Sequence, residues 1–288
     1  MPHLSAKLGG INLTFLQAVI LGLVQGVAEF LPISSSGHLT LLQHFFQMEE
    51  PDQLYNVLLH FATLIAVCIV YRHDIAEMIV EFFRGIGALF SRRQDSAPPP
   101  PARRLVLLII VATLPLVLVL LIKDKVEALG SNAVFVSCML LLTGVVLFTS
   151  DRMAKGRKNV KSTTLKDALL IGVAQGIATI PGISRSGSTI STGMALGLDR
   201  SFAVRFSFLM SLPAVMGATL LEVLDVAEAG LDTSLLPMYL TGMLVAGVVG
   251  YFSIKLVKLL ADKGKFGAFA YYCWAAGAVS LVACLLGW

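Results

Sequence analysis

Residues 22–37 read GLVQGVAEFLPISSSG and residues 172–187 read GVAQGIATIPGISRSG, so one motif occurs twice at a constant offset of 150 residues. Eight of the 16 aligned positions are identical, including a glutamine, two serines and three glycines. Each copy is apolar up to a cluster of Pro, Gly and Ser, and such clusters interrupt helices. The motif therefore predicts two related helix–break–helix hairpins, within residues 11–45 and 167–198.

The sequence around the two motifs is typical of an integral membrane protein. Of the 288 residues, 56% are hydrophobic and 14% are charged, whereas a soluble domain carries about 25% charged residues. A helix rises about 1.5 Å per residue, so about 20 apolar residues cross the ~30 Å hydrocarbon layer. Six apolar stretches without Asp, Glu, Lys or Arg are predicted as transmembrane helices: 53–71, 105–122, 133–150, 206–221, 235–254 and 266–288.

Charged residues between the spans predict their orientation. The loops at 72–104, 151–166 and 255–265 contain six, six and four Lys or Arg residues. The loops at 46–53 and 222–237 contain acidic residues and no Lys or Arg. Because basic loops stay in the cytoplasm, the acidic loops and both termini are expected outside. The first hairpin must then enter from outside and the second from the cytoplasm.

The predicted fold is an all-α integral membrane domain with six transmembrane helices and two re-entrant helical hairpins in an inverted-topology repeat. In such repeats the binding site forms near the membrane midplane, where the broken helices meet. The predicted units are a single domain 1–288, repeat one about 11–150, repeat two about 161–288, and a cytoplasmic Pro-rich loop 91–104.

The two copies differ at the positions that carry reactive groups. Copy one contains Glu29, Ser35 and His38, whereas copy two has Arg185 at the position of Ser35. Charged residues inside apolar segments are costly and mark function by default. Arginine suits bidentate recognition of phosphate, and the SSSG and SRSG turns begin helices whose N–H groups favour anions. Together these features indicate a phosphate-processing site.

Spacing along the predicted helices indicates roles for these side chains. Gln25 and Glu29 are four residues apart and share a helix face, and Ser35 and His38 are close enough to meet at the next helix start. Glu29 can bind a Mg²⁺-type cation or act as general base, and Ser35 is a candidate nucleophile with His38 as acid–base partner. The remaining motif positions are predicted to contact the substrate: Gln25, Ser34, Ser36, Gly37, Ser184, Ser186 and Gly187.

Each of these residues also has a structural interpretation. Glycine and serine in membrane helices commonly serve close packing or capping. Glu29 and Arg185 can form a salt bridge that holds the hairpins together, and His38 can be a hydrogen-bonded structural residue. A phosphohistidine route through His38, with Ser35 only positioning it, is an alternative mechanism. His60, within the first predicted span, is interpreted as a packing or interface residue.

The residues of both motifs match a known family. QGVAEFLPISSSGH at 25–38 resembles the first motif of the undecaprenyl-pyrophosphate phosphatase family of the bacitracin-resistance type. PGISRSG at 181–187 resembles its second motif, and RFSFLMSLPA at 205–214 is similar to a third segment. The likeness extends over most of the chain.

The resemblance implies hydrolysis of undecaprenyl pyrophosphate to undecaprenyl phosphate and inorganic phosphate. This reaction recycles the lipid carrier of cell-wall synthesis and confers bacitracin resistance. The resemblance further implies a divalent cation, Mg²⁺ or Ca²⁺, and a site open to the outer face of the bacterial inner membrane. It assigns the nucleophile to Ser35, a catalytic helper to His38 and a phosphate clamp to Arg185. Gln25 stands where family members have Glu or Gln, so a two-carboxylate metal scheme does not carry over.

A polyprenyl lipid and the membrane are the predicted partners, and no nucleic-acid partner is predicted. The sequence is compatible with a homodimer and does not decide the oligomeric state. A transporter or flippase for the polyprenyl phosphate is the alternative function, since inverted repeats with broken helices are typical of transporters. A second lipid-phosphatase superfamily has the pattern SRxxxxxHxxxD. Aligned on Ser184 and Arg185, this pattern requires a histidine at position 191, where the chain has Ser191, so this superfamily is excluded.

Overall fold

The computed structural model describes residues 13–46, 53–90, 100–150, 152–153, 156–229 and 233–287. Most of the predicted Pro-rich loop and of the acidic segment 46–53 lies outside these ranges, as do residues 230–232. The regular secondary structure of the described residues is helical, apart from an isolated bridge between Lys158 and Leu198. The helices are α1 Phe15–Ala28, α2 Ser35–Phe45, α3 Gln53–Val70, α4 Arg72–Phe90, α5 Pro101–Leu120, α6 Lys123–Leu129, α7 Ala133–Ser150, α8 Leu165–Ile177, α9 Arg185–Ala195, α10 Arg200–Ala229, α11 Leu236–Asp262 and α12 Ala268–Leu285, with a 3₁₀ turn at Thr233–Leu235.

Five helices are long and apolar enough to cross a membrane, which confirms a multi-pass membrane protein. They are Pro101–Leu120, Ala133–Ser150, Arg200–Leu221, Leu236–Asp262 and Ala268–Leu285. The predicted first span corresponds to α3. It is long and apolar enough to cross a membrane only when counted together with α4, and the axes of the two helices are bent by 86°. The loop predicted from residue 72 is therefore helical up to residue 90. The reason is that its charged residues alternate with an apolar face that includes Ile79 and Phe83.

The repeat continues from the sequence into the helix caps. Thr14 caps α1 and Thr164 caps α8, 150 residues later, and each forms a reciprocal capping box with the residue three positions on. Helices α2 and α9 are both 11 residues long, and Ser34 and Ser184 accept hydrogen bonds from the backbone N–H three residues on. Because equivalent residues satisfy the first free N–H groups, equivalent helices begin at equivalent positions.

Small residues bring the hairpins close to the long helices. A Cβ added at Gly22 of α1 would lie 2.6 Å from the carbonyl oxygen of Gly242 in α11. A Cβ at Gly172 of α8 would overlap the carbonyl oxygen of Ala112 in α5. Such backbone contact is the packing that glycine permits between membrane helices. It holds α1 against α11 and α8 against α5.

The two breaks touch one another inside the protein. A Cβ at Gly37, at the start of α2, would lie 3.0 Å from the Cα of Gly182 in the second break. Ser186 Oγ donates a 3.4 Å hydrogen bond to the carbonyl oxygen of Leu31 in the first break. The starts of α2 and α9 are therefore neighbours, although about 150 residues separate them in the chain.

Candidate active site

Glu29 is the centre of a buried polar cluster at the end of α1. Its side chain is 5% exposed and pairs with the guanidinium of Arg185. The other carboxylate oxygen accepts hydrogen bonds from Ser35 Oγ at 2.7 Å and from Gln25 Nε2 at 3.1 Å. His60 Nε2 lies 3.5 Å from the same oxygen. The structure thus brings together Gln25, Glu29, Ser35 and Arg185, as the sequence predicts, and adds a histidine.

The starts of α2 and α9 aim two different side chains at this carboxylate. Ser35 is the first residue of α2, and Arg185 is the first residue of α9. The preceding residues differ in conformation, since Ser34 has a φ of +70° and Ser184 a φ of −72°. A positive φ is costly for a residue with a side chain, and it persists at functional sites where the surroundings enforce it. Ser34 therefore carries backbone strain immediately before the candidate nucleophile.

The cluster forms one wall of a cavity of about 560 Å³. Its polar lining includes the paired groups of both hairpins and donors from four further helices. These lining residues are Glu29, Ser35, Ser36, His60, Thr113, Lys123, Gln175, Thr179, Arg185 and Thr219. The remaining lining is apolar and comes mainly from α5 and α10, as in Leu116, Leu120 and Val215. A charged group with an apolar tail fits this division of the surface.

His38 is directed away from this cavity. Its Nδ1 lies 2.8 Å from the carbonyl oxygen of Ser34, and its Nε2 lies 2.9 Å from the hydroxyl of Tyr272. The imidazole also stacks on the Tyr272 ring at a centroid distance of 5.6 Å. The expectation that His38 meets Ser35 is therefore wrong, because helical twist carries the imidazole round to α12. In this arrangement His38 positions the start of α2.

Most of the other predicted substrate contacts have structural partners. The side chains of Ser34 and Ser184 cap α2 and α9 by accepting from the N–H groups of Gly37 and Gly187. Ser186 bonds the first break, as described above. Among these predicted contacts, Ser36 lines the cavity, and the others shape the helix starts that position Ser35 and Arg185.

Comparison with known proteins shows the family. A family model described as bacitracin resistance protein BacA matches residues 18–279. A relative from Desulfosudis oleivorans, named undecaprenyl-diphosphatase, is 42% identical over 92% of this chain and 97% of its own. Relatives with the same name from Carboxydothermus hydrogenoformans and Methanosphaera stadtmanae are each 40% identical, over 92% and 94% of this chain and 96% and 98% of theirs. The chain belongs to the BacA family.

Among the polar cavity residues of this BacA family member that the sequence does not assign to the site are His60, Gln175 and Lys123. The sequence favours a packing role for His60, although it is the one histidine within the apolar run 53–71. In the sequence, Gln175 stands out only as a repeat identity, and Lys123 lies at the start of the short helix α6. The signal for Gln175 was its identity with Gln25, since a glutamine retained in both apolar copies indicates a polar environment.

The oxygen atoms around Glu29 in this BacA family member provide some, but not all, of the ligands that a hard cation needs. Mg²⁺ and Ca²⁺ prefer oxygen ligands, and Mg²⁺ commonly keeps water molecules and substrate phosphates in its shell. Gln25 Oε1 is buried and has no hydrogen-bond partner in the described part of the chain. Within the same ranges, no group of three or more His, Cys, Asp or Glu residues is placed to hold a metal. For such an ion the protein would offer oxygens of Glu29 and Gln25, and phosphate and water would have to complete the shell.

Proposed function

We propose that this protein hydrolyses undecaprenyl pyrophosphate to undecaprenyl phosphate and inorganic phosphate, and so recycles the lipid carrier of cell-wall synthesis. The observation that carries the proposal is the meeting of Ser35, Glu29 and Arg185 at one cavity in a BacA family chain. A hydroxyl bonded to a carboxylate, with a guanidinium beside it, is the minimal set for attack on a phosphate. The relatives named undecaprenyl-diphosphatase support the choice of lipid.

In this proposal Ser35 is the nucleophile and Glu29 is its base. The Ser35 hydroxyl already donates to the Glu29 carboxylate at 2.7 Å, so the proton passes to Glu29 as Oγ forms a bond to the terminal phosphorus. The bond between that phosphorus and the bridging oxygen breaks, and undecaprenyl phosphate leaves. Water then hydrolyses the phosphoserine and releases inorganic phosphate, with Glu29 as the acid–base group again.

Arg185 has a second state in this mechanism. In the structure its guanidinium pairs with Glu29, but a phosphate group in the cavity competes for the same donors. Transfer of Arg185 to phosphate neutralises the substrate and frees Glu29 to accept the Ser35 proton. A Mg²⁺ or Ca²⁺ ion, held by Glu29 and Gln25 Oε1, would supply further positive charge against the phosphates.

The positions of the lining residues support a cavity open to the outer face of the plasma membrane. Val57 and His60 lie near the start of α3, Lys123 follows the end of α5, and Leu221 lies in the second half of α10. If the basic loops are cytoplasmic, these are the outer halves of the three helices. The same orientation makes α1–α2 and α8–α9 re-entrant hairpins of an inverted-topology repeat, with both termini outside.

The apolar part of the cavity supports a lipid substrate. Leu116, Val117 and Leu120 of α5 line it, and Val117 is also 58% exposed on the outer surface of the helix bundle. A prenyl chain can therefore pass between α5 and the lipid while the pyrophosphate reaches Arg185. No polar group has to enter the hydrocarbon for this geometry.

The test is phosphate release from undecaprenyl pyrophosphate by purified protein in detergent, with Mg²⁺ or Ca²⁺ and with chelator. The expected result is cation-dependent release, which Ser35→Ala abolishes. Ser211→Ala is the matched control, because it removes a buried hydroxyl that donates to Phe208 O outside the cavity, and it should retain wild-type turnover. A folded wild type without phosphate release would overturn the proposal and favour a transporter.

A further inference from the structure

Gln175 is a buried amide without a partner beside the reactive cluster. It lies in α8, is 1% exposed and lines the cavity together with Arg185. Neither its Oε1 nor its Nε2 has a hydrogen-bond partner anywhere in the described residues. Buried polar groups are almost always paired, and an unpaired one that persists needs an explanation. An amide that faces a cavity has its partner among the contents of that cavity, whether water or a bound ligand.

The repeat shows how this amide loses its partner. In copy one, Gln25 donates from Nε2 to Glu29 at i+4, at 3.1 Å. In copy two the corresponding residue is Thr179, whose hydroxyl donates to the carbonyl oxygen of Gly176 at 2.8 Å. The second copy therefore keeps the glutamine and lacks the carboxylate that holds it. The amide is left to bind something that the cavity contains.

We infer that Gln175 is a substrate-binding residue, whose Nε2–H donates to a non-bridging phosphate oxygen of the lipid pyrophosphate. This inference rests on the proposed function, because it takes the same substrate in the same cavity. The ligand must accept hydrogen bonds, since Nε2 is a donor, and it must tolerate the positive charge of Arg185. A phosphate oxygen meets both conditions, and Gln175 adds a neutral donor that does not hold the anionic product as a cation would.

The inference predicts opposite effects on stability and on substrate binding. Gln175→Leu keeps a similar volume and removes no hydrogen bond of the free protein, so the melting temperature should be unchanged or higher. The same change should lower kcat/KM for undecaprenyl pyrophosphate about 10- to 100-fold, mainly through KM, because a hydrogen bond to a charged group is lost.

Gln43→Leu is the matched control on α2. Gln43 is also buried, but its Nε2 donates to Asn56 Oδ1 at 2.9 Å, and it is absent from the cavity lining. This control should lower the melting temperature, while the folded protein keeps the wild-type kcat/KM. A structural glutamine and a substrate-binding glutamine are therefore separated by the sign of the stability change.

A second measurement avoids dependence on turnover. A methylene-bisphosphonate analogue of the lipid, which cannot be hydrolysed at the bridging position, should raise the melting temperature of the wild type and of Gln43→Leu. The rise should be smaller by at least half for Gln175→Leu. An inactive wild type that the analogue stabilises more than it stabilises Gln175→Leu would contradict the proposed phosphatase and still leave Gln175 as a phosphate-binding residue. Equal stabilisation of wild type and Gln175→Leu, or an unchanged kcat/KM, would overturn the inference.

Discussion

The pair formed by Glu29 and Arg185 provides a test that separates its structural role from its chemical role. The Glu29 side chain is 5% exposed and the Arg185 side chain 25%. Breaking a buried ion pair by removing one partner costs about 3–5 kcal/mol, because the other charge stays buried. Water can reach the exposed quarter of Arg185, and Gln25 and Ser35 still donate to Glu29 when Arg185 is lost, which reduces this cost. We expect Arg185→Gln and Glu29→Gln each to destabilise the protein by about 2–3 kcal/mol.

The double variant Glu29→Gln/Arg185→Gln should recover most of that stability. Both partners are then neutral amides, so no buried charge is left unpaired. We expect the double variant to lie within about 1 kcal/mol of the wild type, which is a coupling energy of about 3 kcal/mol or more. The measurement is a melting temperature in detergent for all four proteins, where the single variants should be several degrees lower.

Activity should not recover with stability. Each single variant should lose about 10²- to 10³-fold in kcat, since one removes the base for Ser35 and the other removes the phosphate clamp. The double variant lacks both groups and should be at least as impaired as either single variant. A double variant that regains phosphate release along with its melting temperature would refute the assignment, because the pair would then be only a salt bridge between the hairpins.

Three further predictions concern the helices around the site. Gly172→Ala should lower the free energy of unfolding by about 1–3 kcal/mol, because the new Cβ overlaps α5. Gly176→Ala should change the free energy of unfolding by less than about 0.5 kcal/mol, because its new Cβ would meet only a side-chain methyl at 3.3 Å. Equal losses in thermal unfolding would contradict the close packing of α8 on α5. Tyr272→Phe removes the hydroxyl bonded to His38. If His38 only positions α2, kcat should fall less than about tenfold, whereas loss of a proton carrier costs about 10²- to 10⁴-fold. A larger loss in phosphate release would indicate that His38 transfers a proton in the reaction. Burial raises the pKa of Asp167, but hydrogen bonds from Thr164 and Lys158 outweigh it and keep the pKa below its ordinary value. The ionised carboxylate therefore stabilises the protein at neutral pH, and this stabilisation is lost as the pH falls below about 4. Over that window the melting temperature of Asp167→Asn should depend less on pH than that of the wild type, and parallel curves would contradict a stabilising role for the Asp167 carboxylate.

The amino-acid sequence determined most of the architecture, because its signals are local or periodic. Uncharged stretches predict the five helices that are long and apolar enough to cross the hydrocarbon, and the 150-residue repeat predicts the breaks between α1 and α2 and between α8 and α9. Glu29 and Arg185 stand out in the sequence because a charge inside an apolar copy is costly, and Ser35 stands out because it occupies the position of Arg185 in the other copy. The identity of Gln175 with Gln25 marks it as a notable polar residue, but the sequence does not predict its function.

Only the tertiary structure decided which of these side chains meet. His38 is three residues from Ser35 in the chain, yet its direction follows from the twist of α2 and from Tyr272, which is 234 residues away. His60 looked like a packing residue because its partner, Glu29, belongs to another helix. The same holds for Gln175, since a hydrogen bond that is absent has no sequence pattern. Contacts between helices depend on how glycines let backbones approach, and that geometry is fixed only when the whole bundle packs.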